Sequence, residues 1–213
     1  MDEFAHAYYN KGLVYDLMGN YEDALANFQK AVDLDPDFGY RAYGSRGVVY
    51  HEMGEYEQAL AEFDRAISYN SDKAHVFFLR GNTYMALKDF KAAITNYETA
   101  LAKSPDYPDA LHALGYAYYK AGQYPEAIET LNEAVERVPL APAIHFDLGL
   151  AYAASGDEES SLKAYQQGMK LLEDVEDPEQ QEMLLEVKAN LEELAQNFPD
   201  KSEFIESINR ILK

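Results

Sequence analysis

The chain has no cysteine and few basic residues, and each shortage limits what the protein can do. Without a thiol it cannot form a disulfide, use a thiolate nucleophile or build a cysteine-based zinc site. Lysine and arginine together number 18 against 38 aspartates and glutamates, a formal net charge of −20 over 213 residues. A field of this sign repels nucleic-acid phosphates and anionic membrane surfaces. We therefore expect no nucleic-acid partner, whereas a basic or neutral protein segment suits the charge.

Long apolar runs are missing as well. No stretch approaches the roughly 18 apolar residues that a membrane span needs. The first nine residues, MDEFAHAYY, lack the basic and apolar regions of a secretory signal. These observations predict no direct membrane insertion and a cytoplasmic location. The excess of negative charge also favours a monomer.

Motifs for catalysis and for cofactors are absent from the sequence. Segment 51–55, HEMGE, begins like a zinc-protease helix, but Glu55 stands where that motif requires its second histidine. No phosphate-binding loop, dinucleotide fingerprint or nucleophile elbow occurs. The histidines at 6, 75 and 112 could approach one another across the repeats described next, but they fit neutral ring contacts better than a metal site. We predict no catalytic residue, no metal and no cofactor.

A pattern with a period of about 34 residues runs through most of the chain. Each copy holds a glycine, a tyrosine three residues later, a small residue after twelve and usually an aromatic ring after sixteen. A period of this length predicts an array of helix pairs. The glycine lies on the first helix of each pair and is expected to let the second helix approach closely. The five glycines are Gly12, Gly47, Gly81, Gly115 and Gly149.

This pattern resembles the tetratricopeptide repeat (TPR) over about residues 5–175. The resemblance implies an all-α fold, a right-handed α-solenoid of antiparallel helix pairs known as the TPR superhelix, and the general role of a protein-binding scaffold. We predict that residues 1–175 hold five repeats and that residues 176–213 form C-terminal helices that cap repeat 5. The alternative interpretation is that these helices form an interaction or dimerisation element. The predicted repeats span about 5–38, 40–73, 74–107, 108–141 and 142–175.

One face of the first helices is predicted to bind a partner. A helix turns about 100° per residue, so positions −6, −3, +1, +4 and +5 from each glycine share one arc. In the TPR family this arc lines the concave groove. Positions −5, −2 and +2, such as Val14 and Val49, are expected to pack on the next repeat. The predicted groove residues are Tyr9, Leu13, Arg41, Gly44, His51, His75, Phe78, Asn82, Met85, His112, Tyr116, Tyr119, Lys120 and Phe146.

The predicted groove is aromatic and apolar with few charges, which favours a non-catalytic scaffold that binds an apolar or amphipathic peptide or helix. The acidic exterior would attract a partner with basic flanks. The carboxylate clamp of chaperone-binding TPR proteins is absent, because its first two positions hold Tyr9 and Leu13. Two alternatives remain open: a regulatory or targeting fragment of a larger enzyme or assembly, and a self-associating array. The C-terminal helices are also candidates to cover part of the groove.

Overall fold

The structure, a computed structural model, describes residues 3–172 and 177–212, and these residues form α-helices joined by short turns without a strand. Two 3₁₀ turns, Pro36–Phe38 and Pro199–Lys201, interrupt the series. The α-helices are α1 (Glu3–Leu17), α2 (Tyr21–Leu34), α3 (Gly39–Glu52), α4 (Tyr56–Tyr69), α5 (Ala74–Ala86), α6 (Phe90–Lys103), α7 (Pro108–Lys120), α8 (Tyr124–Arg137), α9 (Pro142–Ser155), α10 (Glu158–Leu171), α11 (Pro178–Asn197) and α12 (Ser202–Ile211).

Helices α1 to α10 form five pairs, each closed by a tight turn. The first helices are α1, α3, α5, α7 and α9, and the second helices are α2, α4, α6, α8 and α10. Each turn contains a residue with positive φ, a conformation that glycine adopts without steric cost. Gly19 takes this place at φ 72°, and Lys88 takes it in the third pair at φ 60°. The turns therefore share one backbone conformation despite the lysine.

The repeating glycines are contact points between the two helices of a pair, as the sequence predicts. A Cβ atom added to Gly12 would lie 2.6 Å from the ring of Phe28. At Gly47 it would lie 2.5 Å from the ring of Phe63. These distances are too short for any side chain, so the absence of one lets the rings of the second helices fill the space. The predicted close approach is confirmed.

The prediction that positions −5, −2 and +2 pack on the next repeat is wrong in direction. Ala42 and Val49 of α3 are fully buried in a cluster with Phe28 and Val32, which belong to α2 of the preceding pair. No described helix pair precedes α1, and its equivalent residue Val14 keeps 55% of its surface exposed. This face of α3, and likewise Val76 on this face of α5, therefore packs on the repeat before it.

The chain divides into two compact units, Met1–Ala110 and Leu111–Lys213, here called unit 1 and unit 2. Unit 1 holds α1 to α6 and the first residues of α7, and unit 2 holds the remainder. Each unit has its own buried apolar residues. In unit 1 these include Phe28, Phe63 and Tyr97, and in unit 2 Leu131 and Tyr165.

Within unit 2, the two C-terminal helices pack against the last helix pair. Helix α11 contacts α9, and α12 contacts α10. A 3₁₀ turn precedes α12, and the hydroxyl of Ser202, the first residue of this helix, donates to the Pro199 carbonyl of that turn. The predicted boundary between residues 175 and 176 lies outside the described residues.

A candidate partner-binding face on the first helices

The predicted groove residues lie on the first helices of both units, but their surroundings differ between the units. We call the surface made by positions −6, −3, +1, +4 and +5 the first-helix face. Nine of the predicted residues belong to unit 1 and five to unit 2. Those of unit 1 are Tyr9, Leu13, Arg41, Gly44, His51, His75, Phe78, Asn82 and Met85, and those of unit 2 are His112, Tyr116, Tyr119, Lys120 and Phe146.

In unit 1 the first-helix face contains a pocket over Gly44. A Cβ atom added to Gly44 would meet only Val76, whose Cγ2 would lie 3.8 Å away. The missing side chain therefore leaves space that no neighbour fills. The pocket has a volume of about 280 Å³. Its lining residues are Tyr9, Tyr40, Arg41, Gly44, Ser45, Val48, His75, Val76 and Leu79.

The sequence predicted four of these lining residues, namely Tyr9, Arg41, Gly44 and His75. Val48 stands at position +1 of its repeat, so the periodicity of the first-helix face already pointed to it. The other lining residues, Tyr40, Ser45, Val76 and Leu79, occupy positions that the helical arc does not contain. They reach the pocket because neighbouring first helices pack side by side, which is a tertiary effect.

Hydrogen bonds between repeats hold several side chains of this face in place. Tyr9 Oη lies 3.2 Å from Ser45 Oγ, which links α1 to α3. His51 Nδ1 lies 3.0 Å from Thr83 Oγ1, and His75 Nδ1 lies 3.1 Å from Tyr107 Oη. Each bond fixes a side-chain rotamer, so the polar groups of unit 1 are ordered without a ligand.

The neutral form is favoured for two of the imidazoles on this face, His51 and His75. Burial lowers the pKa of His51, although the nearby Glu52 partly opposes the shift. Partial desolvation by its neighbours also lowers the pKa of His75, although this side chain remains exposed to solvent. Both histidines therefore act as neutral hydrogen-bonding rings near pH 7, as the sequence led us to expect for His75.

Phe78 and Asn82 serve the packing of unit 1 as well as its surface. The Phe78 ring lies 5.9 Å from the Tyr97 ring and 5.1 Å from the Tyr107 ring, measured between centroids. Asn82 Oδ1 accepts a hydrogen bond of 2.7 Å from Tyr97 Oη. Both side chains are half-buried, as are Leu13 and Met85. They offer a partner their outer edges only.

Opposite charges lie at the two ends of the first-helix face in unit 1. Arg41 is exposed near the start of α3, whereas Asp16 and Glu52 lie near the ends of α1 and α3. Burial, followed by the charge of Glu52, raises the pKa of Asp16. One carboxylate oxygen of Asp16, Oδ1, is shielded from solvent, and none of the described residues donates a hydrogen bond to it. Glu52 in turn raises the pKa of Tyr21, by its charge first and by a hydrogen bond.

In unit 2 the chain's own helix α11 covers the first-helix face. Tyr116 Oη donates to Asn190 Oδ1 at 3.4 Å, and Lys120 Nζ pairs with Glu193 Oε2 at 2.7 Å. Leu191, from α11, is fully buried. Tyr119 keeps only 8% of its surface exposed, so the expectation of an open ring there is wrong. The alternative that the C-terminal helices cover part of the face holds for unit 2.

Two contacts just after α11 strengthen this attachment. The ring of Phe198 lies 6.4 Å from the ring of Tyr124 in an edge-to-face arrangement. Lys201 Nζ donates to the carbonyls of Ala153 and Ala154 at 2.6 and 3.1 Å. These carbonyls lie in the last turn of α9, where a helix carries partial negative charge and favours a cation.

Phe146, the predicted groove residue of α9, lies in the interior of unit 2. It keeps 2% of its surface exposed, and its ring contacts Tyr165 at 6.0 Å between centroids. A Cβ atom at Gly168 would lie 2.6 Å from the Phe146 ring. The other four repeats have alanine at the position of Gly168, and the Phe146 ring occupies the space that such an alanine side chain would fill. This replacement of alanine by glycine was the sequence signal for the inward ring.

His112 links the first helices of unit 2 to each other. Its Nε2 lies 2.7 Å from Asp147 Oδ2, with both side chains largely buried. The two residues stand on α7 and α9, so this contact joins adjacent repeats in the way that His51 and Thr83 do in unit 1. Its imidazole nitrogen is thus engaged in the structure rather than directed to a partner.

Two further findings bear on the chemistry of the described residues. Within 3–172 and 177–212, no group of three or more histidine, aspartate or glutamate side chains is placed to hold a metal ion. No helix in the same ranges combines the length and the apolar character needed to cross a bilayer.

Comparisons with known proteins agree with the fold. Family models described as tetratricopeptide repeat match residues 84–145 and 5–38, and a third, described as TPR repeat, matches 47–88. No curated protein sequence matches the chain significantly. Among solved structures, one is similar that contains MamA from Desulfovibrio magneticus RS-1, from residue 41 to the end. It is 22% identical in sequence and has a TM-score of 0.73, and the match covers 80% of this chain and 96% of the MamA chain. YrrB is 23% identical with a TM-score of 0.67, covering 78% of this chain and 86% of its own. From the repeat spacing, the helix pairs and these matches, the chain belongs to the tetratricopeptide repeat family.

Proposed function

We propose that this protein is a non-catalytic scaffold that holds an apolar or amphipathic segment of a protein partner on the first-helix face of unit 1. Proteins of the TPR family are in general interaction scaffolds without catalysis of their own. YrrB, which shares the fold, is a TPR protein with a peptide-binding site. The acidic composition disfavours nucleic acid as the partner.

The observation that carries the proposal is the occupied face of unit 2. There, α11 contacts α9 and reaches α7 through a tyrosine hydroxyl and a charged pair, and this amphipathic helix buries leucines of its own. Leu191 and Leu194 of α11 are 0% and 1% exposed. The same positions of the repeat recur in unit 1 with aromatic and apolar residues of similar kind. A face built to one pattern is therefore expected to accept one class of ligand.

The pocket over Gly44 is the proposed anchor point. Its walls combine aromatic rings and aliphatic side chains with a few polar groups, which is the usual make-up of a protein's ligand site. The hydrogen bond between Tyr9 and Ser45 fixes one wall before binding. Less ordering is then required when a partner side chain enters. An anchoring residue of this kind contributes on the order of 2 kcal/mol to binding.

The test uses two substitutions at one position. Gly44→Phe should fill the pocket, whereas Gly44→Ala adds only a Cβ atom at ordinary contact distance. Tagged full-length chains are used to capture proteins from a lysate of the source cells, and captured candidates are then measured as purified proteins by calorimetry. We expect to find a ligand that binds directly to the purified chain. The wild type and Gly44→Ala should bind it equally, and Gly44→Phe should bind it at least tenfold more weakly.

Circular dichroism must first show that both variants keep the helix content of the wild type and melt at no lower temperature. A direct ligand that binds Gly44→Phe as tightly as the wild type would place the binding surface outside the pocket and contradict the proposal. Capture of no direct ligand by the wild type would also count against it.

A further inference from the structure

We propose that the partner segment is an amphipathic helix that lies parallel to the first helices of unit 1 and sets a basic side chain against Asp16 and Glu52. This inference rests on the function proposed above and adds the orientation and charge of the ligand. It is argued from three features of the structure: the path of α11, the burial of its apolar residues and the charges of the two faces.

The direction of the ligand follows from the contacts of α11 in unit 2. Asn190 meets Tyr116 at position +1 of its repeat, and Glu193 meets Lys120 at position +5. Residue numbers rise together on the two helices, so α11 runs parallel to α7. Position +1 corresponds to α11 residue 190, and position +5 to residue 193. A helix bound to unit 1 in the same way has a defined register against its first helices.

The apolar stripe of α11 gives the spacing of the ligand. Its buried residues recur every three or four positions, the pattern by which a helix lies in an apolar groove. They are Leu184, Val187, Leu191 and Leu194. Gly44 stands at position −3 and Glu52 at +5, about 12 Å apart along α3 at 1.5 Å per residue. The ligand should therefore carry its pocket anchor and its basic residue about two helical turns apart.

The sign of the charge follows from the residues at the ends of the first helices. Lys120 at position +5 in unit 2 pairs with an acidic residue of α11. Glu52 takes position +5 in the second repeat and Asp16 position +4 in the first. These are acids, so the complementary ligand residue is lysine or arginine. Electrostatic complementarity of this kind sets the register and the specificity of an interface.

The state of Asp16 strengthens this argument. Its Oδ1 atom is shielded from solvent and receives no hydrogen bond from the part of the chain that the structure describes, an arrangement that is costly for a carboxylate unless a donor reaches it. Glu52 lies near enough to disfavour its charged form. A cation placed between the two carboxylates would offset both penalties. The net charge of −20 would also speed the approach of a basic helix.

The experiment selects ligands from a displayed library of 20-residue helices built on residues 178–197. The library keeps the four buried apolar residues of α11 and randomises the other positions, and selection uses the full-length chain. Binders are then measured as synthetic peptides against the wild type and Gly44→Phe. They are also measured against Glu52→Lys and against Glu57→Lys, which makes the same charge change on α4.

We expect binders that Gly44→Phe abolishes and that carry lysine or arginine at the position equivalent to 193. Glu52→Lys should weaken them on the order of tenfold by reversing the charge, whereas Glu57→Lys should have little effect. Binders that depend on Gly44 but lack the basic residue and ignore Glu52→Lys would overturn this inference and leave the proposed function standing. Binders indifferent to Gly44→Phe, or no binders, would overturn both.

Discussion

The first-helix faces of unit 1 and unit 2 follow one repeat pattern but are used in different ways. In unit 2 the face lies beneath α11, and Tyr119 is almost fully buried. In unit 1 Arg41 and His75 are exposed, and a pocket opens over Gly44. The comparison teaches that one repeat pattern supplies similar surfaces, while a few residues at its variable positions decide how each surface is covered.

The residues responsible for the difference stand at equivalent places. Position −3 holds Gly44 in the second repeat and His112 in the fourth, and a pocket lies over the glycine. Position +5 holds Glu52 in the second repeat and Lys120 in the fourth, so the two faces carry opposite charges at this place. Substitutions that act on one face and spare the other can test this contrast.

The largest effect is expected from removing an apolar contact of α11. Leu191→Ala should destabilise unit 2 by about 2–5 kcal/mol, because it truncates a side chain that is fully buried. Leu185→Ala, on the same helix but with 67% of its side chain exposed, should change stability by less than about 0.5 kcal/mol. Urea unfolding followed by circular dichroism measures both. Equal effects would show that α11 does not bind as described.

A smaller and more specific effect is expected from two glycines of α3. Gly47→Ala should destabilise the protein by about 1–3 kcal/mol, because its Cβ would lie 2.5 Å from the Phe63 ring. Gly44→Ala should instead stabilise it by up to about 1 kcal/mol, since alanine is the better helix former and the pocket has room. Thermal melts of both variants measure the difference. A stabilising Gly47→Ala would contradict the packing of unit 1.

The smallest effect concerns the charged pair between Lys120 and Glu193. A double-mutant cycle with alanine should give a coupling of about 0.3–1 kcal/mol, because Glu193 is half-exposed to solvent. The matched control is Lys163 with Glu159 on α10, whose side chains are 70% and 81% exposed and should couple less. Urea unfolding of the six variants tests whether the coupling of Lys120 with Glu193 is the larger of the two. If it is the smaller, the charge at position +5 does not predict the charge of the ligand.

Local features of the chain were predictable because they repeat. The glycine and the ring sixteen residues later mark the contact within a pair, and the structure brings Gly12 to Phe28 and Gly149 to Tyr165. Nine of the predicted groove residues lie on the first-helix face of unit 1, four of them around the pocket. These predictions need only helical periodicity and the short reach of one repeat.

Contacts over long sequence separations were not predictable in the same way. The periodicity places Tyr116 on the first-helix face, but it cannot tell that Asn190 will lie against it 74 residues later. The burial of Phe146 depends on Gly168, which replaces the alanine of the other repeats. In the sequence this replacement indicates only a degraded repeat, and the structure shows that it makes room for the ring. The direction in which Val49 packs likewise required the neighbouring helix pair.

The sequence by itself determined the all-α repeat fold, the positions of the second helices and the arc that forms the first-helix face. It could do so because each repeat is a local unit whose contacts recur at one spacing. Only the tertiary structure decided which part of that face is covered and which part opens over Gly44. The amphipathic pattern of α11 specifies an apolar stripe but not the surface that buries it, since hydrophobic burial has no direction of its own.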